Sequence, residues 1–481
     1  MNVAIAGIQR AKLLIGGEWV SGEGTFEIQD RFTGRPVAQV ERASREQVDQ
    51  AVEGARRSFQ AHRLDPYERF RILSRASALI EQKRAELRET IVAESGFTVS
   101  DATAEVNRAV QTLLLSAEEA KRIHGEMVPI DGAPGQSHRM AFTIRVPRGV
   151  VCAITPFNSP LNTVAHKIAP ALAAGNTVVL KPSSYTPLTA SLLCEILLEA
   201  GLPPGHLALV HGSGGAIGKW LGENPDIRFY TFTGSTAVGK SLRVAAGLRP
   251  TSLELGSISS TIVCEDADLE RAAPRCVNAA FRKAGQVCTS VQRLYLHEGI
   301  AAKFTGMLEE IVGAAKSGDP RDPQTLVGPM IGVEEAQRAE AWVREAVESG
   351  ATLRLGGRRE GAVLLPTILS NVRADMKVMC EEIFAPVIST ISYRSLDEAI
   401  EQVNNTSYGL AAGVFTRDLN RAMGAARRLH MGSVHINETS SSRVDLMPYS
   451  GAKDSGPGRE GPRYAIEDMT EERLITLSLD Q

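Results

Sequence analysis

Residues 150–181 read VVCAITPFNSPLNTVAHKIAPALAAGNTVVLK, and this stretch decides the fold. Short apolar runs alternate here with helical stretches, and the alternation continues to residue 246. The predicted elements are strand Val150–Ile154, helix Leu161–Ala174, strand Thr177–Leu180, helix Pro187–Ala200, strand Leu207–Val210, helix Gly215–Gly222, strand Arg228–Phe232 and helix Thr236–Ala246. Apolar strands joined by helices indicate an α/β fold with a doubly wound parallel sheet. Such sheets bind nucleotides at the carboxyl ends of their strands.

The flanking regions add helices and a second α/β series. Ser44 with Gln47 forms a capping box ahead of a helix that ends near His62. Asp65-Pro66 opens a long helix that ends near Gly96, and a third helix runs from Asp101 to Gly125. The second series begins near Glu254, with helices at about 268–281, 301–315, 334–349 and 396–404.

The chain of 481 residues is too long for one core, so we expect two or three domains. Two segments, His138–Val146 and Arg473–Leu479, alternate polar and apolar residues and belong to neither series. Alternation predicts strands with one face that needs cover, which a partner subunit would supply.

The composition argues against two classes of partner. A net charge of −3 gives no electrostatic footprint for nucleic acid or for an anionic membrane, and an aromatic content of 5% is low for base stacking. No apolar run approaches the length of a membrane span, and residues 1–7 lack a basic region followed by a long apolar stretch. We therefore expect a cytoplasmic protein.

Six cysteines are scattered without a Cys-x-x-Cys pair, which argues against the common zinc sites and a disulfide framework. We expect no metal. Nothing near Cys380 would activate its thiol. The other cysteines, Cys288 apart, are expected to be small buried hydrophobic residues: Cys152, Cys194, Cys264 and Cys276.

Cys288 lies in the segment Ala284-Gly285-Gln286-Val287-Cys288-Thr289-Ser290. A thiol attacks a carbonyl only as thiolate, so it needs access and polar neighbours. We expect Gly285 to give the access, and Thr289 and Ser290 to make the flank polar. Upstream, Leu253-Glu254-Leu255-Gly256 places a carboxylate in an apolar strand that is expected to end on the glycine. A cysteine with a poised base is the combination required for covalent acyl chemistry.

Seven motifs together resemble those of the aldehyde dehydrogenase superfamily, in the same order. The chain is similar to the NAD(P)-dependent, non-acylating members, nearest to types that act on small hydroxylated or anionic aldehydes, such as lactaldehyde dehydrogenase. The likeness extends from Leu14 to Glu460. The motifs are Thr155-Pro156-Phe157-Asn158, Lys181-Pro182, Phe232-Thr233-Gly234-Ser235, Leu253-Glu254-Leu255-Gly256, Gly285-Gln286-Val287-Cys288, Glu382-Ile383-Phe384 and Ser455-Gly456-Pro457-Gly458-Arg459-Glu460.

The resemblance implies three catalytic residues. Cys288 attacks the aldehyde and forms a thiohemiacetal, whose oxyanion accepts hydrogen bonds from the Asn158 amide and the Cys288 N–H. Donors aimed at developing charge are typically worth about 3–4 kcal/mol each. After hydride transfer to the nicotinamide, Glu254 activates the water that hydrolyses the thioester.

The resemblance also implies a coenzyme site and a domain arrangement. Lys181 would bind the adenosine ribose, Glu382 the nicotinamide ribose, and the helix after Gly234-Ser235 the pyrophosphate. The implied units are a coenzyme domain (1–136 and 148–253), a catalytic domain (254–460) and an oligomerisation segment (137–147 and 461–481) in a homodimer or homotetramer. The full coenzyme set is Thr155, Pro156, Phe157, Lys181, Ser183, Ser184, Gly214, Gly218, Phe232, Thr233, Gly234, Ser235, Val238, Leu255, Gly256, Glu382 and Phe384.

Three positions depart from the family pattern. Ser184 stands where NAD-preferring relatives often carry a glutamate that repels a 2′-phosphate, so NADP should be tolerated. Ser257 and Ala385 replace glycines that are common in the family. A serine at position 257 would strain the backbone if its φ were positive. None of these changes removes a chemical group, so activity is expected.

The substrate is predicted to be a short polar aldehyde, hydroxylated or carrying one negative charge: lactaldehyde-like, a semialdehyde, or a sulfo- or phosphono-aldehyde. Arg108 and Arg443 are candidates to bind an anion, since guanidinium groups bind carboxylate, sulfonate or phosphonate in bidentate fashion. Val287 and Thr289 flank the nucleophile and are further candidates. Val287 replaces an arginine expected in a phosphonoacetaldehyde dehydrogenase, which weakens the phosphonate hypothesis.

Three alternatives stay open at this stage. A CoA-acylating aldehyde dehydrogenase usually lacks the carboxylate at Glu254. A non-catalytic protein on the same fold would be expected to lose Cys288, Glu254 or Asn158. A thiol hydrolase would pair cysteine with histidine, and none of the nine histidines stands in a recognisable motif.

Overall fold

The computed structural model describes residues 9–479. Residues 1–8 and 480–481 lie outside the described residues. They include the N-terminal segment 1–7 that was examined for a leader and the last two residues of segment 461–481. No helix within residues 9–479 is long and apolar enough to cross a membrane.

The stretch that decides the fold forms a seven-stranded sheet. Its five parallel strands are joined at the edge by two antiparallel strands. Hydrophobic clusters cover both faces, as the apolar strands predict. The chain reverses its winding between Val150–Ile154 and Ile227–Thr233, which are neighbours. The order is Thr251–Glu254, Ile227–Thr233, Val150–Ile154, Thr177–Lys181, Leu207–Leu209, Leu13–Ile15 and Glu18–Val20.

A second seven-stranded sheet carries the later α/β series. Six of its strands are parallel, and only Thr352–Leu355 runs antiparallel. This sheet is also covered on both faces. The order is Thr352–Leu355, Thr367–Ser370, Val387–Tyr393, Arg293–His297, Ser260–Val263, Ala411–Phe415 and Ser433–Ile436. The α/β fold with a doubly wound parallel sheet is thus confirmed, while the domain boundaries stay a prediction.

Smaller sheets complete the strand inventory. The two segments with polar alternation pair with each other, Arg139–Pro147 antiparallel to Thr470–Ser478, with Met127–Val128 on the far side. The other small sheets join Gln9–Ala11, Pro36–Glu41 and Thr25–Gln29; Lys316–Ser317 and Thr325–Val327; Arg359–Glu360 and Val363–Leu364; and Tyr408–Gly409 and Ala452–Lys453.

Fifteen α-helices surround the sheets in the described range. They are Arg45–Ala61, Pro66–Gln82, Arg84–Ser95, Val99–Ala120, Asn162–Ala173, Pro187–Glu199, Gly214–Glu223, Thr236–Ala246, Leu269–Phe281, Glu298–Gly313, Val333–Glu348, Lys377–Cys380, Leu396–Asn404, Leu419–Arg428 and Pro462–Asp468.

Two helix predictions were wrong. The helix expected from Pro66 to about Gly96 is two helices, because Lys83 leaves helical geometry at ψ 16°. The next helix begins at Val99 rather than Asp101, since Thr98 caps it by accepting a hydrogen bond from the Asp101 N–H. That helix ends at Ala120, short of Gly125. The other predicted element bounds differ by three residues or fewer.

Candidate active site

A cleft of about 1090 Å³ opens at the carboxyl ends of the parallel strands in the first sheet. Every residue that the sequence assigned to the coenzyme lines this cleft, together with Asn158 and Cys288. Many of these residues end or follow strands Val150–Ile154, Thr177–Lys181 and Ile227–Thr233, on both sides of the point where the winding reverses, while Cys288, Glu382 and Phe384 come from the second α/β series. The cleft therefore lies where a doubly wound sheet binds ligands.

Local sequence explains why a dinucleotide fits this cleft. Helices Gly214–Glu223 and Thr236–Ala246 both begin at its wall, so their free N–H groups favour an anion. Lys181 ends its strand with a buried ammonium group. Burial lowers the pKa of Lys181 to about 8, and no carboxylate of residues 9–479 offsets that shift. An anionic, hydroxyl-rich ligand would satisfy both helix ends and this lysine.

Glu382 occupies the opposite part of the cleft. Its carboxylate accepts a hydrogen bond of 3.0 Å from the Ser257 N–H, and burial raises its pKa to about 7. A Cβ at Gly256 would stand 2.9 Å from Glu382 Oε2, which explains the glycine. Ser257 has no positive φ, and its hydroxyl lies 2.9 Å from that of Ser259. The serine is therefore unstrained, and so is Ala385, which also lacks a positive φ.

The loop that carries Cys288 is held by a buried ion pair. Lys283 Nζ donates to Glu105 Oε2 at 2.7 Å and to the Asn158 carbonyl at 2.9 Å. Lys283, Ala284 and Gly285 all have φ between 53° and 69°. Access to the thiol through Gly285 stays a prediction, and the structure adds a packing reason for the glycine: a Cβ there would overlap the Ala385 carbonyl. Glycine is required by close packing of two loops.

Asn158 contacts this loop, and its side-chain amide keeps one N–H donor free in the described structure. Its Nδ2 donates to the Gln286 carbonyl at 2.9 Å, and a side-chain amide carries two N–H donors. The Cys288 N–H has no backbone acceptor among the described residues. Asn158 and Cys288 both line the cleft, so each can offer an N–H donor of the kind that an oxyanion hole requires.

The Cys288 thiol is largely buried and is contacted by a residue that the sequence analysis missed. Its Sγ lies 3.0 Å from the Tyr449 hydroxyl. The predicted polar flank does not contact the sulfur, because Ser290 bonds to the carbonyls of helix Leu269–Phe281 and Thr289 to Ser441. Burial raises the pKa of Cys288 to about 11, although the Tyr449 hydrogen bond opposes the shift.

The remaining cysteines agree with the sequence. The four expected to be core residues are buried, and Cys380 is exposed. Burial raises the pKa of the Cys380 thiol. No group of three or more potential metal-ligating side chains occurs between residues 9 and 479.

Glu254 ends its strand in the interior, with both carboxylate oxygens free of hydrogen-bond partners among the described residues. Burial, and then the charge of Glu460, raise the pKa of Glu254 well above its usual range. Glu460 itself is bound by Lys167 at 3.1 Å and Arg443 at 2.7 Å. Despite burial, these two cations hold the pKa of Glu460 below its usual range. The pKa values of the two neighbouring carboxyl groups therefore differ, and Glu254 is the one that more readily holds a proton.

The two arginines predicted to bind substrate are both in ion pairs. Arg108 Nη2 lies 2.6 Å from Asp445, which also accepts from His166 at 2.8 Å. Arg443 pairs with Glu460, as described. Neither arginine lines the coenzyme cleft, nor do Val287 and Thr289.

Arg282 is a residue that the sequence analysis missed. Its Nη2 donates to Ser441 Oγ at 2.7 Å, and no carboxylate in the described range lies within ion-pair distance. Burial lowers its pKa, and the charges of Asp101, Cys288 and Glu105 oppose that shift. A cation six residues before the nucleophile, at the end of a mostly apolar helix, was the available signal. Arg282, like Arg108 and Arg443, does not line the coenzyme cleft. The cleft walls include residues that were not predicted: Tyr185, Lys219, Glu223, Ser241, Ala245 and Arg338.

Comparison with known proteins agrees with this geometry. The profile of the aldehyde dehydrogenase family matches residues 19–475. The 3-sulfolactaldehyde dehydrogenase of Priestia aryabhattai is 50% identical over 472 residues, 98% of this chain and 99% of that protein. The lactaldehyde dehydrogenase of Methanocaldococcus jannaschii is 37% identical, covering 97% of this chain and 100% of that protein.

A solved structure, NADP-dependent glyceraldehyde-3-phosphate dehydrogenase from Bacillus halodurans complexed with NADP, superimposes with a TM-score of 0.95 at 35% identity. The match covers 98% of this chain and 100% of that one. The resemblance noted from the motifs is thereby confirmed. The chain belongs to the aldehyde dehydrogenase family and is an NAD(P)-dependent oxidoreductase that acts on an aldehyde.

Proposed function

We propose that the enzyme oxidises a short, negatively charged aldehyde to its carboxylate through a thiohemiacetal and a thioester on Cys288. The observation that carries this proposal is the unpaired Arg282 guanidinium close to Cys288, in a site where the other two arginines are neutralised by carboxylates.

The first half-reaction joins the Cys288 sulfur to the aldehyde carbon. The carbonyl oxygen becomes an oxyanion and accepts hydrogen bonds from the free Asn158 N–H and the Cys288 N–H. The Lys283–Glu105 ion pair supports this step, because it fixes the cysteine loop to the Asn158 backbone. NAD(P), when bound, accepts the hydride that leaves the thiohemiacetal carbon.

The second half-reaction hydrolyses the thioester. Glu254 in its ionised form takes a proton from water, which attacks the acyl carbon and releases the Cys288 thiolate. The position of an unpartnered carboxylate in this interior supports hydrolysis over transfer to CoA. NADH or NADPH formation without added CoA would separate these two reactions.

The coenzyme would be held by groups of this chain at both ends of the cleft. Lys181 and the N-terminus of helix Gly214–Glu223 suit the adenosine part, and helix Thr236–Ala246 the pyrophosphate. Glu382 suits a ribose hydroxyl, because its second carboxylate oxygen makes no hydrogen bond in the described structure.

The substrate's charge is inferred from the residues around Arg282. Ser441 Oγ accepts from Arg282 and lies 3.2 Å from Thr289 Oγ1, so a cation and two hydroxyl groups meet next to the nucleophile. A relative at 50% identity is named for a sulfonated hydroxyaldehyde. A carboxylate or sulfonate on the aldehyde would pair with the Arg282 guanidinium.

On a panel of aldehydes, we expect 3-sulfolactaldehyde and succinic semialdehyde to exceed neutral aldehydes of the same length in kcat/KM. Arg282→Gln should lower kcat/KM for the charged aldehydes roughly 30-fold, about 2 kcal/mol for a charge-assisted hydrogen bond, and affect propionaldehyde much less. Arg275→Gln is the control, because Arg275 lies on the helix that ends just before Arg282 and its partly exposed side chain pairs with Glu438 instead of standing unpaired. Higher kcat/KM for long aliphatic or aromatic aldehydes, or an equal loss on charged and neutral substrates, would contradict the proposal.

We also propose that NADP is accepted. Ser184 lines the cleft with Lys181, and one acidic wall residue, Glu223, is paired with Arg45 at 2.8 Å. The KM for NADP should therefore lie within about tenfold of that for NAD, roughly 1.4 kcal/mol. Ser184→Glu should raise the KM for NADP more than tenfold and leave that for NAD within a few-fold, since only the 2′-phosphate meets the new charge. Steady-state kinetics with both coenzymes checks this; a hundredfold preference of the parent for NAD would refute it.

Assembly follows from the paired strands Arg139–Pro147 and Thr470–Ser478. Thr470–Ser478 is an edge strand, and it exposes Leu474 and Leu477. Long exposed edge strands with apolar residues favour pairing with another chain. We propose a homodimer or homotetramer built through segments 137–147 and 461–481, next to a coenzyme domain (1–136 and 148–253) and a catalytic domain (254–460). Light scattering would give the number of subunits.

A further inference from the structure

Tyr449 makes the one side-chain hydrogen bond to the Cys288 sulfur in the described structure. Its hydroxyl oxygen lies 3.0 Å from Sγ, and the tyrosine side chain is buried. We infer that the Tyr449 hydroxyl donates a hydrogen bond to the Cys288 thiolate and thereby favours the nucleophilic form of the sulfur. The inference rests on the proposed function, in which Cys288 is the nucleophile.

The direction of the hydrogen bond follows from the charges. Burial, and then the charge of Cys288, raise the pKa of Tyr449 well above its ordinary value, so the phenol keeps its proton. Once the sulfur is ionised, it has no proton to donate and can only accept. A hydrogen bond to the charged form of an acid stabilises that form.

Arg443 holds the tyrosine ring in place. Its guanidinium carbon lies 3.9 Å from the Tyr449 ring centroid, and its Nη2 lies 2.7 Å from Glu460. A cation over the face of an aromatic ring is attracted to the ring and withdraws electron density from it. The phenol becomes a better donor, and the ring is clamped. This contact gives Arg443 a positioning role for the tyrosine ring, while the substrate contact predicted from the sequence stays a prediction.

The sulfur needs such a donor because burial and two carboxylates oppose its ionisation. Burial raises its pKa first, and the charges of Glu382 and Glu254 add to that effect. Arg443 acts in the opposite direction through its charge, and Arg282 is a second cation whose charge interacts with the sulfur. Tyr449 is the only one of these groups in hydrogen-bond contact with Sγ.

The experiment measures thiol alkylation in the full-length enzyme without coenzyme or aldehyde. The rate of iodoacetamide reaction at the Cys288 peptide is followed by mass spectrometry between pH 6 and 11, which separates Cys288 from the exposed Cys380. Tyr449→Phe should shift the pH profile of alkylation upward by about one pH unit. The rate at pH 8 should then be about tenfold lower, which corresponds to about 1.4 kcal/mol. Tyr449→Leu, which also lacks the hydroxyl, should shift it in the same direction.

Tyr393→Phe is the matched control. The Tyr393 side chain is also buried, and its hydroxyl donates to the Val263 carbonyl at 3.1 Å. It makes no hydrogen bond to Cys288 in the described structure. This variant should lose stability without any change in the Cys288 alkylation profile. An unchanged profile in folded Tyr449→Phe, or an equal shift in Tyr393→Phe, would overturn the inference.

The outcome is separable from that of the proposed function. Alkylation reports the thiol alone and needs no turnover. If Cys288→Ala still oxidised aldehydes, the proposed function would fail, and the role assigned to Tyr449 with it. If Cys288→Ala were inactive and Tyr449→Phe reacted as the parent does, only the role of Tyr449 would fail.

Discussion

The Cys288→Ser protein is expected to oxidise aldehydes at least about 10⁴-fold more slowly than the parent, as removal of a nucleophile costs in other covalent enzymes. An alcohol ionises far less readily than a thiol, and the site offers no base in contact with position 288. The group in contact, Tyr449, holds its own proton. A serine hydroxyl would therefore stay protonated and unreactive.

The measurement is the rate of reduced coenzyme formation with saturating aldehyde. Coenzyme binding, followed by the quenching of protein fluorescence, should be unchanged because the exchange removes no coenzyme contact. Cys380→Ser serves as the control, since Cys380 is exposed and should leave the rate unaltered. Parent-like oxidation by the Cys288→Ser protein would refute covalent catalysis at this position.

The sequence was sufficient for those site residues whose position depends on local structure. Lys181 and Thr155 follow apolar strands, and Gly234 precedes a helix, so their place at the carboxyl edge of the sheet could be predicted. Local structure does not predict which side chains from distant segments of the chain come into contact. Tyr449 meets Cys288 across 161 residues, and Arg282 meets Ser441 across 159.

Ion pairing is a second property that the sequence did not reveal. Arg108 and Arg443 stood in suitable segments for substrate binding, but folding pairs each of them with a carboxylate: Arg108 with Asp445, 337 residues away, and Arg443 with Glu460, 17 residues away. The signal for Arg282 was its place at the end of an apolar helix six residues before Cys288, and the sequence does not show that this arginine lacks a carboxylate partner. Backbone strain behaves likewise: the left-handed run at Lys283 and Ala284 is sustained by an ion pair between distant elements.

The Glu254→Gln protein is expected to turn over about 10²–10⁴-fold more slowly in the steady state, the usual loss when a general base is removed. Glutamine preserves the shape of the side chain but cannot take a proton from water. The thioester on Cys288 should then accumulate. A first-turnover burst of reduced coenzyme, close to one per active site, should precede the slow phase when the reaction is followed by rapid mixing.

The sign of the pH dependence identifies the carboxyl group. Because burial and Glu460 raise the pKa of Glu254, its ionised fraction grows as pH rises above the usual carboxyl range. The parent's deacylation rate should therefore rise with pH and fall on acidification, and Glu254→Gln should lose this dependence. Glu195→Gln is the control: burial also raises the pKa of Glu195, which lies on helix Pro187–Glu199 outside the cleft. A steady-state rate in Glu254→Gln equal to the parent's, with the same pH profile, would assign water activation to another group.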